Sequence, residues 1–404
     1  MARVCVVGGG TAGREAAVEA SRGGAEVAVV ERRPYPEPPW GSWPDLILGP
    51  DWSPAPSPLP EGAPMILEAD AASAGPGYVA LSDGRRLDFG QVIVATGSRF
   101  MPPVFPGARK PGVSVLDGPE KYEGLRRACP SLDTALVTGG GYRALEVADR
   151  LSSRGAKVHL LISGWERDPP SQLALDVIAD AAQERGVEAR LGGVSKAVGE
   201  GRVEAAVVAG AVVPCDLIVV VPPRLPNPVR SKMRLGPGGG LEVDRTMRTS
   251  EPSVYAVGGC AELKGNAQGC GVLADVSSIS GRIAGSNCAG THRSIAGTLV
   301  DELQVFGLRW SRTTAFPRGA RLGRGWETVD RRWGPGSACS IAHERGSEKV
   351  VGVEWVRPST SPTAGLPPLT SGLTLESLAF GLGSSDISPI SETARLGLRE
   401  WPKS

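Results

Sequence analysis

The sequence predicts an α/β protein in which one strand–helix–strand unit occurs twice, followed by a separate α+β segment. Three observations carry this. Residues 3–31, RVCVVGGGTAGREAAVEASRGGAEVAVVE, set a glycine run between two short apolar strands. Residues 134–162, TALVTGGGYRALEVADRLSSRGAKVHLLI, lie over that stretch at a constant offset of 131. From Gly297 onward, strand-like pieces (LQVFGLRWSRT, SACSIAHE, KVVGVEWV) precede a helical tail whose clearest parts are Glu376–Phe380 and Glu392–Trp401.

Each part of the first unit has a physical job. An apolar strand, Val4 to Val7, runs into Gly8-x-Gly10-x-x-Gly13. Gly8 allows a tight turn, Gly10 lets the backbone approach a pyrophosphate, and Gly13 lets helix and strand pack closely. Thr11 and Ala12 lie between these glycines and are assigned to the same site. The helix N-terminus offers unpaired N–H groups and partial positive charge to phosphates. The second strand, Val27 to Val30, ends at Glu31, eighteen residues beyond Gly13 and followed by Arg32. An acid there binds ribose hydroxyls. A glycine pattern alone also fits a plain βα turn. Strand, glycines, helix, strand and acid in register point instead to a Rossmann-like dinucleotide site.

Composition bounds the rest. At 404 residues the chain predicts two or three domains. A formal net charge of +1 gives no electrostatic case for nucleic acid or anionic lipid. No apolar run reaches the roughly 18 residues a membrane span needs. The first strand starts at residue 3, which leaves no room for a signal peptide. Seven cysteines stand singly at 5, 129, 215, 260, 270, 288 and 339, with no CxxC and no metal-type spacing. That usage implies a reducing cytoplasm. The three histidines are far apart, which argues against a His-based metal site.

Residues 34–64 are anomalous: eleven prolines with Trp40, Trp43 and Trp52. Proline at this density excludes a regular helix and predicts a long loop. Short strands follow at MILEAD, YVALSDG (with a turn at Asp83-Gly84) and QVIVA, the last running into Ala95-Thr96-Gly97-Ser98. In the second unit Gly139 falls on Gly8, Gly141 on Gly10 and Ala144 on Gly13. Two such units mean two nucleotide-binding domains; the alternative is a duplicated fold with a silent second site. Ile162, followed by Ser163, stands where Glu31 stands in the first copy. With no acid there a 2′-phosphate is not repelled, and Arg167 is available to meet it, which leans toward NADP over NAD. A helix is expected at Ser171–Arg185 and another from Val272 to Cys288. Strands are expected near Val187–Leu191, Val203–Val208 and Leu217–Val221, and again over 241–257. The expected domains are 1–115 with 236–296, then 116–235, then 297–404.

These pieces resemble the two-dinucleotide flavoprotein family of pyridine nucleotide-disulfide oxidoreductases, in the branch of NADH oxidases, coenzyme A disulfide reductases and NAD(P)H sulfur reductases. The matching stretches are the first glycine motif with Glu31, IVATGSRFMPPVFPG, GGGYRALEVA and RTMRTSEPSVYAVGGCAE. QVFGLRWSRT and KVVGVEWVRP resemble that family's C-terminal dimerisation domain. The resemblance implies FAD on the first motif, NAD or NADP on the second, and a homodimer through the last hundred or so residues. It also implies that Thr96 and Gly97 turn close to the FAD and that Gly258-Gly259 lies at the flavin.

Three departures follow from the same resemblance. Thiol-using members carry a redox cysteine where Trp40 stands here, in PWGSWP, and no cysteine lies between Cys5 and Cys129. An indole cannot attack a disulfide, so thiolate chemistry at that place is gone. Gly259 replaces an aspartate that binds the ribityl chain. Loss of one charge-assisted hydrogen bond costs about 1.5–3 kcal/mol; Asp275 is a candidate substitute. Ser388-Pro389-Ile390-Ser391-Glu392 lacks the histidine of the lipoamide-dehydrogenase branch. His343 and His292 are expected at the surface.

Several residues carry two readings. Trp40 and Trp43 either stack on a flavin or pack the loop. Tyr142 matches a family position that lies over the flavin as a gate, or is an exposed aromatic at a helix start. Arg143 holds a pyrophosphate or substrate anion, or faces solvent. Glu146 matches a family glutamate near the nicotinamide, or is a helix-surface carboxylate. Cys260 and Cys270 form a redox pair, or are small buried residues. Two functions stay open. One is an enzyme passing hydride from NAD(P)H to FAD and electrons onward to a small-molecule or protein acceptor. The other is a degenerate nucleotide-binding paralogue serving as a binding or scaffold subunit.

Overall fold

The structure is a computed structural model, and it describes residues 2–33, 65–66, 68–165, 169–264, 274–295, 300–313, 325–347 and 349–360. It forms two compact units, one of residues 1–101 with 224–296 and one of 102–223 with 297–404.

The first unit is built on a five-stranded parallel sheet. Its strand order is Val254–Ala256, Gln91–Val94, Arg3–Val7, Glu26–Val30 and Met65–Ile66. Val4, Cys5 and Val6 are fully buried, as expected of the central strand of a parallel sheet covered on both faces. Helix Thr11–Arg22 crosses over to Glu26–Val30. A second helix, Ala274–Cys288, packs against it. Small residues make that contact possible: a Cβ at Gly281 or Gly285 would overlap the carbonyl oxygens of Ala12 and Ala16. A three-stranded antiparallel sheet, Ala71–Gly75, Tyr78–Leu81 and Arg86–Asp88, completes the unit's main elements.

The second unit repeats the plan. Its parallel sheet runs Val187–Leu191, Lys157–Gly164, Thr134–Gly140, Leu217–Val221 and Val113–Val115. Helix Gly141–Ser152 makes the crossover. A three-stranded antiparallel sheet, Val194–Val198, Ala205–Val208 and Ala211–Pro214, precedes Leu217–Val221 as its counterpart precedes Gln91–Val94. The duplication therefore runs well beyond the glycine motif. Val113–Val115 pairs with Leu217–Val221, so it belongs to the second sheet rather than to the 1–115 segment.

The same unit carries a five-stranded antiparallel sheet. Its order is Val300–Val305, Leu308–Thr313, Val350–Pro358, Ala338–Glu344 and Trp326–Arg332. The strand pieces read after Gly297 all fall in it. The helical tail beyond residue 360 lies outside the described residues, as do Trp40, Trp43, Arg167, Cys270 and the 388–392 stretch. One expectation is corrected here. His343 is 4% exposed, not a surface residue; its Nδ1 lies 3.2 Å from the carbonyl oxygens of Glu344 and Ser347. The strand expected near Val203–Val208 is present as Ala205–Val208: pairing begins at Ala205, and the chain turns at Ala209-Gly210 into the next strand.

Candidate active site

The first cradle sits where Arg3–Val7 gives way to helix Thr11–Arg22. Gly8 has φ +112°, a region that L side chains avoid, and its N–H donates to the Val30 carbonyl at 2.8 Å. A Cβ on Gly13 would overlap the Gly8 carbonyl oxygen and stand 3.1 Å from the Ala95 Cβ, so helix and strand meet with no room for a methyl. Gly10 differs from both. It is the helix N-cap, its φ and ψ are −70° and −174°, and a Cβ there would meet nothing within 4 Å among the described residues. The open face is the backbone approach that a pyrophosphate needs.

Glu31 is 6% exposed and held by its own cradle. The Gly9 N–H donates to its Oε2 at 2.6 Å and the Arg33 N–H to its Oε1 at 3.0 Å. Each oxygen keeps lone-pair capacity for a hydroxyl. Arg32 is exposed. The Thr96 hydroxyl donates to the Asn227 carbonyl at 2.7 Å, while the Asn227 N–H donates to Gly97 at 3.0 Å. Thr96 and Gly97 thus fix a turn beside the sheet. Gly258 stands against Ala12, where a Cβ would come within 2.8 Å of the Ala12 Cβ. Gly259 abuts Ser98: a Cβ at 259 would overlap its Oγ and lie 3.3 Å from the Gly97 carbonyl carbon. The fold therefore brings Gly8, Gly10, Thr11, Ala12, Gly13, Glu31, Thr96, Gly97, Gly258 and Gly259 to one place. The helix that begins at Ala274 includes Asp275, whose side chain lies outside the described residues.

One residue here was missed by the motif reading. Arg14, in the first turn of the helix, is 9% exposed, and its Nη1 has no hydrogen-bond partner among the described residues. Burial lowers its pKa. Positions four apart share a helix face, so Arg14 lies on the same face as Gly10, and side chains on a helix lean toward its N-terminus. The only sequence signal was a charged residue among alanines, TAGREAA.

The second cradle keeps the same turn. Gly139 has φ +142°, and a Cβ there would overlap the Val221 carbonyl. Ala144 takes the third glycine's place and is fully buried. Ile162, two residues before the end of strand Lys157–Gly164, places no carboxylate where Glu31 stands in the first copy. Gly141 is where the copies part. A Cβ on it would lie within 2.5 Å of the Trp165 indole.

Tyr142 and Arg143 are 3% and 7% exposed, so the exposed-aromatic and solvent-facing readings are both set aside. Glu146 is half-buried. The Tyr142 ring meets Trp165 edge-on at 5.1 Å and 73°, and Trp310 at 5.3 Å. Arg312, 1% exposed, donates to the Tyr142 hydroxyl at 3.2 Å and to the Pro169 carbonyl at 2.6 Å. Its guanidinium lies 4.9 Å above the Trp310 ring. Glu354, 1% exposed, stands 3.8 Å from Arg312 and accepts from Trp310 Nε1 at 2.8 Å and from the Ser171 N–H at 3.0 and 3.1 Å. Burial pushes the Glu354 carboxyl up, opposed by Arg312 and these hydrogen bonds.

The described cysteines at 5, 129, 215, 260, 288 and 339 are all buried and none is in a disulfide. Burial pushes the Cys5 and Cys288 thiols up to about 12 and that of Cys215 to about 11. Cys260 is raised too, and its Sγ lies 3.4 Å from the Val94 carbonyl oxygen. No His, Cys, Asp or Glu cluster among the described residues is suited to a metal. No described helix is long and apolar enough to cross a membrane.

The fit to cofactors differs between the copies. The open Gly10 face, the pinned Glu31 and the buried Arg14 guanidinium fit a flavin dinucleotide. The backbone of the second cradle fits a dinucleotide, but with Trp165 in this position its approach is filled.

Comparison with known proteins agrees with this geometry. The chain is 27% identical over 322 residues to an NAD(P)H coenzyme A polysulfide/persulfide reductase of Pyrococcus horikoshii, covering 74% of this chain and 72% of that one. It is 30% identical over 289 residues to a probable ferredoxin reductase of Castellaniella defragrans, covering 63% and 67%. Among solved structures, a water-forming NADH oxidase from Lactobacillus brevis bound to NADH superposes with a TM-score of 0.81 at 19% identity, over 99% of this chain and 98% of that one. Residues 2–278 match the pyridine nucleotide-disulphide oxidoreductase family, and they contain both cradles. The chain is a member of the pyridine nucleotide-disulphide oxidoreductase family.

Proposed function

We propose that this chain is an NAD(P)H-dependent flavoenzyme that passes electrons from FAD to an acceptor without a protein thiol. The observation that carries the reading is the contrast between a first cradle open among the described residues and six described cysteines that are all buried. When bound, the two cofactors supply the hydride and electron chemistry, which needs stacked rings at close range rather than a protein nucleophile. The chain's part is to bind and orient. Backbone N–H groups around Gly10, with Arg14, take the flavin pyrophosphate, and Glu31 takes ribose hydroxyls. The Thr96-Gly97 turn and Gly258-Gly259 line the rest of that site. Gly139, Gly141, Tyr142, Arg143 and Glu146 belong to the nicotinamide side, where the missing acid at Ile162 favours NADPH. The acceptor is a small molecule or a small redox protein, and 297–404 forms a homodimer interface. Cofactor extraction followed by anaerobic addition of NADH or NADPH tests the reading. It expects FAD in the extract and bleaching of the visible flavin bands. Colourless protein that FAD does not reconstitute contradicts it.

A second reading is supported by Trp165 over Gly141: a paralogue that kept FAD but lost turnover and acts as a subunit for another protein. Yellow protein that neither NADH nor NADPH bleaches distinguishes it from the first.

A further inference from the structure

The internal duplication allows a like-for-like comparison. Gly10 and Gly141 occupy the same place in the two copies. Around the first, a Cβ would meet nothing within 4 Å among the described residues; around the second it would lie within 2.5 Å of the Trp165 indole. A phosphate seated on the backbone at Gly141 needs the volume that the indole fills, so the two exclude one another.

The indole is held from several sides. Trp165 follows directly on strand Lys157–Gly164 and meets Tyr142 edge-on. Tyr142 is fixed by Trp310 and by the Arg312 guanidinium. The chain after Trp165 is tied down at Pro169, whose carbonyl accepts from Arg312, and at Ser171, whose N–H donates to Glu354. Strands Leu308–Thr313 and Val350–Pro358 thereby hold the chain on the C-terminal side of the indole, and strand Lys157–Gly164 holds it on the other.

We propose that Trp165 is a gate on the second cradle and a determinant of its dinucleotide affinity. The indole must leave Gly141 before a pyrophosphate can seat, so the apparent affinity is the intrinsic one reduced by the fraction of molecules with the gate open. This rests on reading the second cradle as the NAD(P) site.

The test is calorimetric titration of the protein as isolated with NAD+ and with NADP+, for wild type, Trp165→Ala and Trp165→Phe. With the open form populated at roughly a tenth or less, Trp165→Ala tightens binding by about tenfold or more, while Trp165→Phe changes it less. Equal affinity in wild type and Trp165→Ala overturns the gate, and weaker binding in Trp165→Ala makes the indole a ligand contact instead. Binding of neither nucleotide to either protein overturns the dinucleotide reading of the cradle itself. Should Trp165→Ala fail to fold, stopped-flow tryptophan emission of wild type decides: a gate makes the binding rate level off with nucleotide concentration, and a rate that rises linearly throughout overturns it.

Discussion

Gly10 and Gly13 are three residues apart in one turn of chain, yet alanine should act on different quantities at the two positions. At Gly13 the new methyl overlaps the Gly8 carbonyl oxygen and lies 3.0 Å from its carbon, with the Ala95 Cβ at 3.1 Å on another side. Backbone and strand must move apart, which costs about 1–3 kcal/mol, and the upper end is expected because no rotamer change relieves the clash. At Gly10 the φ and ψ of −70° and −174° suit alanine, and an added Cβ would meet nothing within 4 Å among the described residues. The stability cost is then below about 1 kcal/mol, the scale of exchanging glycine for alanine at an N-cap. The same methyl stands where phosphate must approach. Displacing even one charge-assisted N–H bond costs about 1.5–3 kcal/mol, or at least about tenfold in FAD affinity. Urea unfolding of flavin-free protein reads the first quantity, and flavin retention after dialysis reads the second. Gly13→Ala should lower the unfolding midpoint, and Gly10→Ala should keep the midpoint but lose flavin. A Gly10→Ala protein that unfolds as readily as Gly13→Ala, or that holds flavin as wild type does, would refute the reasoning.

Other consequences follow from the same contacts. Arg14→Met removes a buried guanidinium whose Nη1 has no described partner, so flavin-free protein should be no less stable while FAD affinity falls about tenfold; unchanged flavin retention would show that Arg14 does not reach the phosphates. Glu354→Ala leaves the buried Trp310 Nε1 and Ser171 N–H without their acceptor beside Arg312 and should cost about 3–5 kcal/mol in urea unfolding, against less for Glu354→Gln, which keeps an acceptor. Because the folded-state pKa of Glu354 is raised above its ordinary 4.5, the folded form holds a proton that the unfolded form loses. Its contribution is full below about pH 4.5 and is lost as pH rises through the folded value, so Glu354→Gln should flatten that part of the stability profile. Ile162→Glu restores the acid of the first copy and should shift nucleotide preference toward NADH, read as a ratio of dissociation constants. An aromatic disulfide reagent at pH 8 should leave the six described cysteines of native protein unmodified and label all seven after denaturation.

Much of this site is written locally. Gly8-x-Gly10-x-x-Gly13 and Glu31 sit within one strand–helix–strand unit, so spacing alone fixes which of them share a cradle. The same holds for Gly139 and Gly141, and strand Leu217–Val221 was expected at the bounds it has. Trp165 was not legible. It lies twenty-four residues beyond Gly141 in a stretch without periodicity, and its position depends on Trp310, Arg312 and Glu354, which arrive from strands far along the chain. The two readings of Tyr142 stayed open for the same reason: a helix-start aromatic is exposed unless something distant covers it, and here it is buried. His343 was expected at the surface, but residues 338–343 of its strand are all buried. Gly259 could be seen only as a loss. The fold adds that Ser98 fills the room a side chain there would need.

The central claim is electron flow through flavin with no thiol partner, and reductive titration tests it most directly. Anaerobic NADPH or NADH added to FAD-loaded protein should bleach the flavin completely at one two-electron equivalent per FAD. Uptake of a second equivalent with a persistent long-wavelength band would reveal a disulfide in series with the flavin and contradict the account.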